Sequence, residues 1–283
     1  VWVPVGLPAL PLMSPVTQTP KFSRPPVIET VLGVQFTPMA TFSVPYYGLF
    51  WATVRDDYPL QEVKPPLVPE LEEFGVQLTP ATLKVMLSAA DQDVRCWFMN
   101  RPRTELLQVQ RDHFIRNWRK GSQDRYPGYE TLKPRFTRDW ARFRDFLAHA
   151  DLGAPTVAQC EVTYVNQIPR GEGWHDFGDV HNVLTVVSPP ARTFLPDPEM
   201  VVGLNVRYLM PDKKGRLHVA MQPAVRRDDG QLALQLTLTA RGKPMSSRAE
   251  DVVAWLDMGH EWIVRGFTDL TTTEMHDLWG RTA

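Results

Sequence analysis

Two histidines and two glutamates stand near the end of the chain, in GHEWIVRGFTDLTTTEMHDLWG (residues 259–280). These are the side chains that bind divalent metals or move protons. A helical zinc-hydrolase site needs His-Glu-x-x-His, so that both imidazoles project from one helix face. Four residues after His260 stands Val264, which breaks that spacing. His260 instead falls in line with Leu256, Ile263 and Phe267 and is expected to face a sheet. Glu261, off that face, can pair with Arg265 one turn on. Gly266 is expected to close the helix. Thr271 and Glu274 then form a capping box for a short last helix, with Met275, Leu278 and Trp279 inward and His276 and Asp277 toward solvent.

A second candidate is CEVTYVNQI (residues 160–168). With a period of two, Cys160, Val162, Tyr164 and Asn166 lie on one face and Glu161, Thr163, Val165 and Gln167 on the other. Polar groups in a central strand must be hydrogen-bonded or open onto a cavity. Trp118, Arg119, Tyr126, Glu161 and Asn166 are therefore the candidate ligand-binding set, expected to converge if they line a pocket. The alternative is a buried network pinning two halves of the protein together.

Charge supplies a third. Residues 101–144 hold twelve Lys/Arg against five Asp/Glu, interleaved with aromatic residues, in a chain whose net charge is −1. Guanidinium forks for phosphates and rings for bases are what a nucleic-acid or phosphate surface needs. Arg111, Arg116, Lys120, Arg125 and Arg138 are the candidates, expected to share an exposed face. The same arginines could instead pair along a helix through Asp139, or receive an acidic segment such as PELEEFG (residues 69–75). The loop GWHDFGDVHN gathers His175, Asp176, Asp179 and His181, but their spacing matches no zinc or facial-triad pattern, and no metal is assigned. No phosphate loop, dinucleotide fingerprint or nucleophile elbow is present, so neither a cofactor nor a catalytic residue is assigned.

The elements that position these residues follow from periodicity. Strands are expected at Pro25–Phe36, within residues 82–90 (TLKVMLSAA), at DVRCWFMN, at ELLQVQRDHFIRNWR folded as a hairpin about RDH, and at Thr156–Pro169. Tyr47, Phe50, Trp51 and Val54 mark one helix, and Phe136, Trp140, Phe143 and Leu147 a second. LQEVKPPLVPELEEFG reads as a connection. Beyond residue 170, VLTVVS and three further runs form a meander with turns at DKKG and RDDG. Leu232, Leu234, Leu236 and Leu238 alternate with polar or small residues, as on a strand with one wet face. This pattern predicts an α+β fold: antiparallel sheets with packed helices, in two sheet-plus-helix halves at 25–170 and 171–283, after a Pro-rich, unpacked arm at 1–24. The opening Val fits an alternative start codon, with Met13 as a second candidate. The two cysteines, Cys96 and Cys160, are too few for a disulfide framework and read as buried thiols in a reducing cytoplasm. No apolar run is long enough to span a bilayer.

Four ordered stretches carry a resemblance: RPPVIETVLGVQF, NWR followed by YPGYE, CEVTYVNQI, and the terminal GHEWIVRGFTDLTTTEMHDLWG. Together they resemble an uncharacterised bacterial family of sporadic distribution among genomes. The resemblance implies a soluble cytoplasmic protein, its sporadic occurrence hints at a mobile or defence-type locus, and it carries over no activity and no site. The leading functional expectation is a non-enzymatic interaction or regulatory accessory protein whose partner is another protein. The alternatives are a nucleic-acid or phosphate-ligand binder through residues 101–144, and an enzyme or small-ligand binder with a polar pocket around Glu161.

Overall fold

The computed structural model describes residues 18–74, 94–122, 125–188, 193–200 and 203–282. The strand expected within residues 82–90 lies outside them. Nine strands form one antiparallel sheet: β1 (Val27–Phe36), β2 (Leu60–Lys64), β3 (Arg95–Met99), β4 (Glu105–Gln110), β5 (His113–Arg119), β6 (Val157–Pro169), β7 (Leu204–Leu209), β8 (Arg216–Val225) and β9 (Leu232–Gly242). Their order across the sheet is β2-β3-β4-β5-β1-β6-β9-β8-β7. The hairpin about RDH is β4–β5, and the second-half meander is β7–β9. The first half contributes six strands and the second three, joined where β6 pairs with β9. With α-helices packed on it, this is an α+β fold.

Register decides which side chains share a face. Trp118, Thr30, Tyr164 and Leu238 lie in one row across β5, β1, β6 and β9, and Phe114, Val34 and Cys160 in another. This face is apolar and carries the helices. Helix α1 (Val44–Val54) sends Tyr47, Phe50 and Val54 inward. Helix α2 (Tyr129–His149) buries Phe136, Trp140, Phe143 and Leu147, as its 4-3-4 spacing predicts, and Phe143 stacks on Phe114 with centroids 5.1 Å apart. Helix α3 (Ala249–Leu270) covers β6, β8 and β9. A short α4 (Thr273–Leu278) follows. Among the described residues, no helix is long and apolar enough to cross a membrane.

The opposite face is polar: Glu29, Gln35, Gln108, His113, Asn117, Arg119, Gln159, Glu161, Arg216, His218 and Arg241 all alternate onto it. Residues 65–74 cross it as a strap. Leu67 exchanges two backbone hydrogen bonds with the Gln110 amide, Glu72 accepts from Arg216 and His218, and Arg241 pairs with Glu70. The acidic segment is thus held by cations of β8 and β9 and not by the arginines of residues 101–144.

Several expectations need correction. Leu60–Lys64 is a strand, not a connection; it is short and half-exposed, so it lacks a strong apolar signal. VLTVVS is not a strand: it leaves a 3-10 turn (Phe177–Asn182) and makes one bridge, Leu184 to Thr271. Helix α3 runs through Gly266 to Leu270. A β-carbon at Gly266 would stand 2.6 Å from Leu217 Cδ2, so the glycine permits close helix–sheet approach and does not end the helix. The cap of α4 is Thr272, whose hydroxyl donates to Asn182 O, and no Thr271–Glu274 box forms. His276 is buried against Thr271 and does not face solvent. Residues 18–24 are packed: Phe22 meets Phe267 edge-on at 5.5 Å, and the Ser23 and Arg24 amides donate to Gly280 O and Trp279 O.

Candidate functional site

A cavity of about 680 Å³ opens on the helix-bearing face, between residues 18–25, the entry to α2, β6 and α3. Gly128, with φ +84°, turns the chain into α2 and sets Tyr126 and Tyr129 on either side of the bend. Tyr164 reaches the cavity because it alternates onto the inward face of β6. Asp257, His260, Glu261 and Val264 reach it because their spacing of three and four residues keeps them on one face of α3.

These groups form a connected set. The Tyr126 and Tyr164 hydroxyls are 2.7 Å apart, and Tyr164 Oη is 2.9 Å from His260 Nδ1. The Tyr129 ring stacks on the imidazole at 3.9 Å and 7°. Its hydroxyl donates to Asp257 Oδ1 at 2.9 Å, and Lys133 Nζ reaches the same oxygen at 3.0 Å. Trp118 packs edge-on against Tyr126 at 5.6 Å and fixes that ring from behind.

Burial governs the protonation states. It pushes the Tyr126 phenol up to about 12 and raises Tyr129 and Tyr164 further, the last helped by the neighbouring phenols. It lowers His260 from 6.5 to about 4, opposed by Asp257 and assisted by Lys133. At neutral pH the three hydroxyls and the imidazole are all uncharged. Two proton arrangements satisfy the chain. In one, Tyr126 donates to Tyr164, Tyr164 donates to Nδ1, and Nε2 carries the histidine proton. In the other every donor is reversed and the Tyr126 hydroxyl is left to donate elsewhere. The wall can therefore offer a neutral donor or a neutral acceptor without a charge appearing.

Of the five residues nominated for ligand binding, Tyr126 and Asn166 line this cavity and Trp118 supports it. Asn166 donates to Leu236 O at 3.0 Å. Arg119 and Glu161 are on the opposite face, bonded to Glu29 and to Arg241. The five do not converge, because Arg119 follows Trp118 and Glu161 is an odd number of residues from Asn166 on one strand. Beside Glu161 is only a small cavity of about 170 Å³ under the strap. Reasoning from sequence nominated none of Tyr129, Lys133, Tyr164, Asp257 and His260 for this site, and read His260 as a packed histidine. The available signal was that Tyr164 and His260 both fell on inward faces.

The basic stretch does not form one surface. Arg116 is buried beneath α2, bonded to Glu105 at 2.7 Å and to Asp139 at 3.1 Å. Arg138 pairs with Asp139 at 3.0 Å. Arg111 is in the β4–β5 turn, and Lys120 and Arg125 are exposed beyond β5. In the His/Asp loop, Asp179 accepts from the His175 and Asp176 amides as a helix cap, and Asp176 pairs with Arg170. Among the described residues, no three His, Cys, Asp or Glu side chains are grouped to hold a metal. Cys96 and Cys160 are buried free thiols, and burial raises the Cys160 thiol far above the range of a nucleophile.

No protein-family model, curated protein or solved structure matches the chain.

Proposed function

We propose that this protein binds a small, uncharged molecule in the cavity between residues 18–25, α2, β6 and α3. The observation that carries this reading is the Tyr126–Tyr164–His260 hydrogen-bond chain on the wall of a 680 Å³ space. Cavities of roughly 300–1,000 Å³ with apolar walls and a few converging polar groups are the usual form of small-molecule sites. Phe22, Pro25, Val27, Ile263 and Phe267 supply the apolar walls. Asp257 and Lys133 neutralise each other at the rim. With neither a thiolate, a charged imidazole nor an ionised phenol at neutral pH, the set favours recognition over acid–base chemistry.

The test is a metabolite screen by thermal shift and native mass spectrometry. A ligand at a hundred times its Kd stabilises the folded chain by about 2.7 kcal/mol. The expected result is a hit whose shift is lost in Tyr164→Phe and His260→Leu while both variants remain folded. A hit that stabilises both variants as well as the parent chain places the ligand elsewhere and refutes the reading.

A further inference from the structure

The polar face of the sheet carries a second constellation, independent of the cavity. Trp97 of β3 is ringed by three cations, Lys64 at 4.8 Å, Arg119 at 4.8 Å and Arg95 at 5.5 Å from its ring centre. Its indole N–H donates to Gln108 Oε1 at 2.9 Å, and Arg95 Nη1 donates to the same oxygen at 2.9 Å. Gln108 donates to Asn117, and Asn117 and Arg119 both donate to Glu29 Oε1, at 2.7 and 2.9 Å. The ring and its cations are thus held in place across four strands.

The charges in this group do not balance. Lys64 and Arg103 share Glu62, and Arg119 has Glu29. Among the described residues Arg95 meets no carboxylate within ion-pair distance, and its Nε is buried without a hydrogen-bond partner. Among the described residues, four cations against two carboxylates leave two positive charges uncompensated. Burial lowers the Arg95 guanidinium, and the charge of Arg119 held near it adds to the effect. A fold keeps such a pair at a cost unless an anion joins it. Lys64 and Arg119 are each one-third exposed, so an anion can reach them.

We propose that Lys64, Arg95 and Arg119, set around Trp97, form a site for the phosphate group of a small phosphorylated ligand. A phosphate dianion matches the two surplus charges, and its three oxygens suit two guanidinium edges and an ammonium. A carboxylate would leave one charge over. Because cations already flank the Trp97 ring, the site reads the phosphate and not a stacked base, which argues against a single-stranded polymer as its occupant.

The test is calorimetric titration of the full chain with inorganic phosphate, a sugar phosphate and AMP, at low and raised salt. Salt-sensitive binding is expected, weakened about tenfold or more in Arg95→Met and in Arg119→Met and unchanged in Tyr164→Phe. Equal affinity for the three compounds shows that the phosphate alone is read. Tighter binding of one shows which body the site accepts. Lys64→Gln, a change at a partly exposed position, gives the same readout if an arginine variant fails to fold. Three results would overturn the proposal: no binding of any of the three compounds, binding undiminished in all three site variants, or binding of a short RNA without binding of AMP.

Discussion

Replacing His260 by Gln removes an imidazole while keeping a side chain able to hydrogen-bond the Tyr164 hydroxyl, 2.9 Å away in the parent chain. Burial between Tyr129 and Tyr164 lowers this histidine from 6.5 to about 4, with Lys133 adding to the effect and Asp257 opposing it. Between these values the unfolded chain takes up a proton that the folded chain does not. Stability therefore falls as pH falls through this window and is retained above about 6.5. The full shift corresponds to about 3 kcal/mol, of which about 2 kcal/mol is lost on moving from about pH 7.5 to about pH 5. Urea unfolding followed by tryptophan fluorescence at those two pH values measures it, since Trp118, Trp140 and Trp255 are buried in the fold. Other titrating groups are common to both proteins and cancel in the comparison. The parent chain should lose about 2 kcal/mol more than His260→Gln over that interval. Equal losses would mean that His260 is solvated and protonates freely, which would remove the neutral wall on which small-molecule binding is argued.

Asp139 accepts from Tyr58 at 2.7 Å and from Arg116 at 3.1 Å in the core, so Asp139→Leu leaves the Tyr58 hydroxyl unpaired and the buried Arg116 with Glu105 alone, and should cost about 3 kcal/mol by urea unfolding. Arg116→Met combined with Asp139→Leu removes both charges and should recover most of that loss. Gly242→Ala sets a β-carbon 2.1 Å from Lys214 O and 2.7 Å from Gly215 Cα, rigid backbone on both counts, and should lower stability by about 3 kcal/mol or abolish soluble expression. Gly48→Ala, inside α1 with nothing within 4 Å of the new methyl, should instead raise stability by about 0.5–1 kcal/mol. Phe22→Ala withdraws a ring from Phe267 and Trp279 and should cost roughly 2 kcal/mol in the same assay, showing that residues 18–24 belong to the fold.

Elements with one buried face were legible because burial imposes a period. Leu234, Leu236 and Leu238 of β9 alternate as read, and Phe136, Trp140 and Phe143 sit where α2 meets the sheet. The failures share a cause, competition from groups distant in sequence. VLTVVS has the β-branched content of a strand, but the Thr185 amide donates to Leu270 O and that of Leu184 to Val180 O, which leaves no ladder to join. Gly266 has the look of a helix stop until Leu217 is seen beneath it. The candidate site was half legible for the same reason. Periodicity could place Tyr164 and His260 on inward faces, but only the fold shows that positions 96 residues apart share a hydrogen bond.

Neighbouring residues of one strand feed opposite sides of this sheet. On β5, Trp118 backs the Tyr126 ring of the cavity while Arg119 lies over Trp97 on the other face. On β1, Thr30 is opposite Trp118 and Tyr164, and Glu29 is opposite Arg119 and Val165. The mixture of polar and aromatic residues on these strands is what two differently furnished faces of one sheet require. A strand with a single wet face can spend its outward positions on any soluble residue. Here the outward positions of β3, β4, β5 and β1 hold Trp97, Gln108, Asn117 and Glu29 in one hydrogen-bonded line, an ordering that solvation alone does not demand.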